Sequence, residues 1–420
     1  MKITIIDEQQ FDNYSKTHEY SSYYQSSSYA KLMNHHGLKP MYLGFYDENK
    51  LIGTSLILSK PSFMGFKYGY APRGLLIDYN NYNQIIELAK DLKNFLFKER
   101  FILLKIDPLI LISKRDKDGN IIYENSHRDN IMETFKSAGF HHCGFNKIFE
   151  SVKPRWFAYL DLQNDEDNLF KNLTKQTRNK IRKAMKLGVE IYQDKDAITK
   201  IYPFIARKGN YSLKYYQEFS ELFSNNLEIY VAKINTEKYV EGSRLLYEKE
   251  LEYNEYLNNI ISRDGYKGKD MKDILSKKME SDKLLIIYKE YLVNSITLLR
   301  NHPEGISIGG TIIVKEKDTV HLLIDGYDKT YSKFCPLYLT KWEIIKKYLN
   351  SNFKYFDMNA VTGIFDTKEE NPYRGLNEMK LGFNTTVYEY IGEFNLIINN
   401  PIYALYKNIV IDDSIKNIAK

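Results

Sequence analysis

Hydrophobic and polar positions change period several times along the chain, and each change marks an element. Met1–Ile6 reads as a short strand, and a helix-like region including Ser28–His35 follows. Met41–Tyr46 and Leu51–Leu58 flank the turn Asp47-Glu48-Asn49-Lys50, which predicts a hairpin. The pattern then places a strand after Pro72-Arg73-Gly74, a helix from Tyr82 to about Lys98, and the strand Phe101–Ile106 ending at Asp107-Pro108. A second region repeats the order. Leu227–Ile234 is a strand, and Ile306–Val314 with Val320–Ile324 form a hairpin about Lys315–Asp318. A helix from Pro336 to about Leu349 leads into Phe353–Met358, which ends at Asn359. Hairpin, helix and strand recur without evident sequence identity, so an internal structural repeat is expected. Mixed sheets flanked by helices, an α/β (α+β) class, are the matching architecture.

Two segments depart from that alternation. From about Thr236 to Leu299 the pattern is long, charged and helical, interrupted at Arg263-Asp264-Gly265-Tyr266-Lys267-Gly268. Leu246, Tyr253 and Ile260 recur at seven with Leu257 between them, and Leu275, Met279 and Ile286 supply a stripe on the return limb. This predicts an antiparallel coiled-coil hairpin over 237–299, inserted in the second half. The other segment, Leu169 to Gly188, carries Lys171, Lys175, Arg178, Lys180, Arg182, Lys183 and Lys186 with no acidic residue among them. Phe170, Leu173, Ile181, Ala184 and Met185 fall at helical spacing, so one amphipathic helix with a cationic face is expected. Such a face suits a polyanion: RNA, a pyrophosphate or an anionic membrane surface.

The formal net charge of the whole chain is only +6, so that density is local. At 420 residues the chain exceeds the ~250–300 residues at which single cores stop growing, and more than one domain is expected. Two cysteines, Cys143 and Cys335, are too few for a disulfide framework or a zinc cage and fit a reducing cytosol. The N-terminus lacks the features of a signal peptide, and no apolar run approaches the ~18–20 residues of a membrane span. Any membrane contact is therefore expected to be peripheral. There is no G-x-x-x-x-G-K-[ST], G-x-G-x-x-G, H-E-x-x-H or G-x-S-x-G. The pairs His35-His36 and His141-His142 put adjacent side chains on opposite faces of a strand, which argues against a metal site. Group transfer from an activated donor fits what remains: a donor site, an acceptor site and a cation to meet a developing oxyanion.

The C-terminal third reads Phe356-Asp357-Met358-Asn359-Ala360, then Gly363-Ile364-Phe365-Asp366, then Tyr373 to Asn384 with Lys380 in it, then Tyr390-Ile391-Gly392-Glu393-Phe394. That series resembles the signature of the Fem-type (FemXAB) peptidoglycan bridge aminoacyltransferases, "GIF", "YxxKxGFG" and "EYIGEF". Earlier segments are similar to other family motifs: Gln25 to Lys31, Tyr70-Ala71-Pro72-Arg73-Gly74, Lys105-Ile106-Asp107-Pro108, Pro154-Arg155 before Tyr159-Leu160-Asp161-Leu162, and the basic helix. The matches span nearly the whole chain in order.

The resemblance implies two acetyltransferase-like (GNAT) domains, expected here as 1–152 and 153–385. It also implies a hairpin insert and a C-terminal segment, 386–420, packing back on the first domain. It implies transfer of an amino acid from aminoacyl-tRNA to a stem-peptide amine of a peptidoglycan precursor, lipid II or the soluble UDP-MurNAc-peptide. Aminoacyl-tRNA is then a co-substrate, with no cofactor and no metal. Partners are the charged tRNA, the precursor and related Fem proteins, and the location is cytoplasmic, at the inner face of the plasma membrane. Lys380 takes the place of the lysine at the reacting centre, where its ammonium would meet the oxyanion. Asp107 would bind the acceptor amine or take its proton. Lys31, Arg73, Arg155 and Tyr215 stand at substrate-binding positions, and Lys175, Arg178, Lys180, Arg182, Lys183 and Lys186 are expected to meet tRNA.

The chain also departs from the family pattern. An arginine usual before "YF" is not identifiable in the segment Arg207 to Tyr216, where Lys208 or Lys214 would have to substitute. The "Y-x-G-G-S" motif reads Leu323-Ile324-Asp325-Gly326-Tyr327. Three other readings stand beside this one: an acyl-CoA N-acyltransferase, although neither half shows a pyrophosphate loop, a non-catalytic tRNA- or RNA-binding module, and a peptide ligase of another pathway built on the same fold.

Overall fold

The structure is a computed structural model that describes residues 1–209, 211–262, 269–366 and 368–406. Asn210, the expected interruption at 263–268 and the last residues of the C-terminal segment lie outside them. The chain opens with β1 (Lys2–Ile5), α1 (Glu8–Thr17), α2 (Ser27–His35), β2 (Lys39–Asp47), β3 (Lys50–Pro61) and β4 (Lys67–Ala71). It continues through α3 (Tyr82–Lys98), β5 (Phe101–Ile106), β6 (Leu111–Arg115), β7 (Ile121–Glu124), α4 (Arg128–Ser137) and β8 (Phe140–His142). The second half runs β9 (Trp156–Asp161), α5 (Glu166–Asn172), α6 (Lys175–Lys186), β10 (Val189–Gln193), α7 (Ile198–Gly209), α8 (Leu213–Leu222) and β11 (Leu227–Ile234). Two long helices follow, α9 (Thr236–Ile261) and α10 (Lys269–Asn301). The rest is β12 (Ile306–Glu316), β13 (Thr319–Tyr327), α11 (Pro336–Tyr348), β14 (Tyr355–Ala360), α12 (Arg374–Leu381), β15 (Thr386–Tyr390), β16 (Phe394–Ile397) and α13 (Asn400–Tyr406).

Two mixed sheets form. One has the order β1-β2-β3-β4-β5-β16-β8 and the other β10-β11-β12-β13-β14-β9-β15-β6-β7. Each is antiparallel except at one pair, β4/β5 in the first and β13/β14 in the second. The expected repeat is therefore present in the topology. The sheets also exchange strands across the expected boundary at 152. β6 and β7 extend the second sheet, while β16, near the C-terminus, sits between β5 and β8 of the first. The strand expected after Gly74 lies before it, as β4. Pro72 has no N–H to donate and Arg73 turns at φ 55, which ends the ladder there.

Three apolar cores result. One lies between the first sheet and α3 and α4, and one between the second sheet and α6 and α11. The third joins the halves: Phe11, Tyr29 and Leu56 of the first pack with Ile201, Phe219 and Ile312 of the second. That shared core fixes the halves against each other.

The expected single helix from Leu169 to Gly188 is two. Leu173 is extended, and the Thr174 side chain accepts the Thr177 N–H, so a cap starts α6 anew. Met185, expected on the buried stripe, is exposed, and Leu187 is buried instead. The helical hairpin also uses a different register. Tyr253, Leu275, Met279 and Ile286 face outward, while Ser243, Asn254, Leu257, Ser281 and Ser295 are buried. Asn254 Nδ2 donates to Ser281 Oγ at 3.0 Å and Ser281 Oγ to Glu250 Oε1 at 2.6 Å, so a polar layer occupies part of the seam. Small residues there let the helices approach closely; on α9 the expected Leu257 is buried and Leu246 partly so, while Tyr253 and the whole expected stripe of α10 face outward.

The hairpin is seated on α6 by Gly242, where a built Cβ would lie 1.8 Å from the Lys186 carbonyl oxygen. Backbone cannot yield cheaply, so Gly242→Ala is expected to cost about 2 kcal/mol or more, read as a lowered Tm. An unchanged Tm would show that α9 does not rest there.

Candidate active site

In each half the parallel pair of strands diverges and presents charged groups at the opening. In the first, β4 and β5 pair as far as Ala71 and Ile106. The next residue of β5's course, Asp107, is buried (1% exposed). Its Oδ1 accepts the Arg73 N–H at 2.7 Å, and its Oδ2 accepts the Tyr70 hydroxyl at 3.1 Å. Arg73 Nη1 lies 3.4 Å from Oδ2, and its Nη2 donates to the Pro154 carbonyl at 3.1 Å. Burial pushes the Asp107 carboxyl up to about 6, against the pull of Arg73.

In the second half, β13 and β14 stay paired through His321 and Asp357. Asn359, at φ 68, fills the gap, its Nδ2 donating to the Leu322 and Leu323 carbonyls at 3.0 and 3.2 Å. His321 Nδ1 lies 2.9 Å from Asp357 Oδ2. Lys380 enters from the last turn of α12, 5% exposed, and its Nζ donates to the Ala360 carbonyl at 2.6 Å. Burial pulls its ammonium down to about 7, with Asp325 opposing and Lys341 assisting. Behind it, Lys208 Nζ lies 2.8 Å from Asp325 Oδ1, and the fully buried Lys341 pairs with Asp325 Oδ2. Burial alone would raise the Asp325 carboxyl, but Lys341 and Lys208 hold it well below the usual carboxylate range. Lys341 and Lys380 are buried and Lys208 is half exposed, so three lysines gather near Asp325 at the margin of the core.

A cleft of ≈ 530 Å³, part of it open to solvent, separates the two openings. Tyr23, Tyr24 and Arg73 of the first half line it, with Lys153 and Pro154 of the connecting segment. Phe157, Tyr159, His321, Asp357, Asn359 and Tyr390 complete the wall. Asp107 lies beneath this wall, bonded to Arg73, and Lys380 is bonded to the residue after Asn359.

The other expected site residues fall elsewhere. Lys31 is exposed on α2, 2.6 Å from Glu8. Arg155 is buried with its donors taken by the Tyr390 and Asn146 carbonyls at 3.0 and 2.9 Å and by Glu389 at 3.1 Å. The Tyr215 ring stacks on Tyr211 at 3.9 Å inside the core shared by the halves. On α6, Lys175, Arg182 and Lys186 are exposed. Arg178 donates to the Lys171 and Leu173 carbonyls, and Lys180 to the Tyr338 hydroxyl at 2.9 Å. Lys183 lies over the Tyr291 ring of α10 at 5.6 Å, so the basic helix and the hairpin base form one surface.

Sequence reasoning did not single out His321, Lys341 or Lys153. Asp357 and Asn359 stood within a quoted motif, but only the strand divergence brings them to the cleft.

The model of the FemAB family matches residues 6–410. The aminoacyltransferase FemA of Staphylococcus aureus strain bovine RF122 / ET3-1 is 25% identical over 420 residues, 97% of each chain. FemA of strain MRSA252 is similar to the same extent, 25% over 97% of each. Among solved structures, the crystal structure of FemX superposes with a TM-score of 0.70 at 18% identity, covering 97% of this chain and 100% of that one. That likeness concerns the fold.

Proposed function

The chain belongs to the FemAB family, and from that premise we propose that it is an aminoacyltransferase that extends a peptidoglycan precursor. It moves an amino acid from aminoacyl-tRNA to a side-chain amine of the stem peptide, on lipid II or the UDP-MurNAc-peptide. The observation that carries the reading is Lys380, a buried ammonium drawn down to about 7 at the strand divergence beside the cleft.

The chemistry follows from the charges. The acceptor amine attacks the ester carbonyl, and negative charge collects on its oxygen. A carbon–nitrogen bond forms, the ester carbon–oxygen bond breaks, and the tRNA hydroxyl leaves with a proton. Lys380 meets the oxyanion in a site where water does not screen it. Asp107, behind the Arg73 wall of the cleft, is the base that takes the amine proton. The donor ester is already activated, so neither nucleotide hydrolysis nor a cofactor is required. Lys175, Arg182 and Lys186 face the phosphates of the tRNA. No helix among the described residues is long and apolar enough to cross a membrane, and a lipid-linked acceptor is met by peripheral contact.

Incubation with total charged tRNA and both precursors, followed by mass spectrometry, tests the reading: one stem peptide gains the mass of an amino acid. No gain with any pairing rejects it. The rate should also have two limbs in pH. kcat/KM falls below about 6 as Asp107 takes a proton and above about 7 as Lys380 loses its charge. A profile flat from pH 5 to 9 removes both from the chemistry.

Salt dependence tests the tRNA face. Replacing Lys175, Arg182 and Lys186 by alanine is expected to reduce the log–log salt slope of tRNA binding by about 2, with kcat at saturating tRNA unchanged. An unaltered slope places the tRNA elsewhere.

A further inference from the structure

Lys153 is a cation of the cleft wall that the chemistry above does not use. It lies in the segment joining the halves, and that segment is pinned on both sides. The Val152 N–H donates to Glu393, the Ser151 hydroxyl donates to the Lys153 carbonyl at 2.8 Å, and Arg73 Nη2 holds the Pro154 carbonyl at 3.1 Å. The backbone position of Lys153 is therefore set before any ligand arrives, which lowers the entropic cost of binding. Its Nζ lies 4.3 Å from the centre of the Tyr24 ring. Among the described residues it makes no ion pair and no side-chain hydrogen bond, so all three of its N–H groups are available. Burial alone would lower its ammonium, but Tyr24 and Tyr211 hold it raised, and it stays charged at neutral pH. Arg73, the other cation of the wall, is already engaged with Asp107 and Pro154.

We infer that Lys153 is the anchor for a single carboxylate of the acceptor peptide, held in the cleft between the halves. This rests on the proposed acceptor and adds the group by which it is read. The rest of the lining selects the anion. Asp357 lies in the same ≈ 530 Å³ cleft, and a doubly charged phosphate or a pyrophosphate would bring more negative charge against its carboxylate than a single carboxylate does. A peptide presenting one carboxylate is complementary to that wall: the carboxylate meets Lys153 and brings no second negative charge against Asp357. The aromatic rings of Tyr24, Phe157 and Tyr159 exclude water from the pair and strengthen it.

The test is calorimetric binding to the intact chain, without turnover. The UDP-linked stem peptide is titrated with its C-terminal carboxylate free and with that carboxylate amidated, and inorganic pyrophosphate is titrated alone. Wild type is expected to bind the free-carboxylate peptide about tenfold or more tightly than the amide, one charge-assisted contact. Lys153→Met should bind both equally, at the amide's affinity, and Lys153→Arg should restore most of the preference. Equal Tm values guard against misfolding. Overturning results are a preference that survives in Lys153→Met, no preference in wild type, or a loss seen only with pyrophosphate. If the preference is present and Lys153-dependent while no amino acid is ever transferred, the carboxylate site stands and the aminoacyl transfer falls.

Discussion

Lys380→Met is expected to lower kcat by about 10²–10³ and at the same time to raise the Tm. The first effect is the loss of one preorganised donor to an oxyanion in a water-poor site. The second follows from burial. Lowering an ammonium from 10.5 to about 7 represents a penalty on the order of 5 kcal/mol. Methionine removes that penalty but leaves the Ala360 carbonyl without its donor, which costs about 1–3 kcal/mol. A net gain of a few kcal/mol remains. The sign in pH is fixed. Between about 7 and 10.5 the unfolded chain binds more protons at this lysine than the folded one, so wild-type stability rises with pH there. The variant's advantage is therefore largest below pH 7 and closes toward pH 10. Urea unfolding at pH 6.5 and 9.5 checks this. A variant less stable than wild type at both values would mean the ammonium is not buried at a cost, and a variant of full activity would remove Lys380 from the reaction.

Arg73→Met carries the other large effect, a loss of stability of about 3–5 kcal/mol at pH 8, because it strands the Asp107 carboxylate without its ion partner. Asp107 is already raised by burial, so without Arg73 it rises further. The folded state then binds more protons than the unfolded one from the ordinary carboxylate range upward, and stability falls as pH rises through the folded value. The variant should approach wild type below about pH 5, where Asp107 is neutral, short of it by the lost Pro154 hydrogen bond and the stacking on Phe157 at 5.2 Å. The acid limb of its activity should move above 6. A loss of stability equal at pH 5 and pH 8 would show that the Arg73–Asp107 charge pair does not matter to the fold.

Most of the frame was legible along the chain. Alternation in Met41–Tyr46 and Leu51–Leu58 and the helical period of Tyr82 to Lys98 are local properties, and β2, β3 and α3 follow them closely. The parallel cases β11, β12, β13 and α11 recover the expected repeat for the same reason. Lys380 stands out in the sequence only by motif resemblance, and Asp107 by that resemblance together with its place at the end of a strand.

Local period fixes which residues share a face, and it does not say what the face meets. The apolar stripe of α10 faces outward, and only contact with α9 put Ser281 and Ser295 in the seam. Strand exchange between the sheets depended on pairings hundreds of residues apart, such as β16 with β5. The charge state of Lys380 likewise came from depth: an exposed lysine in the same motif would keep its ordinary value, and burial at the β13/β14 opening brought this one to about 7. Sequence set most of the elements and the candidate side chains, and the packing of two halves set their protonation and the cleft beside them, because desolvation and long-range pairing act through three-dimensional neighbours.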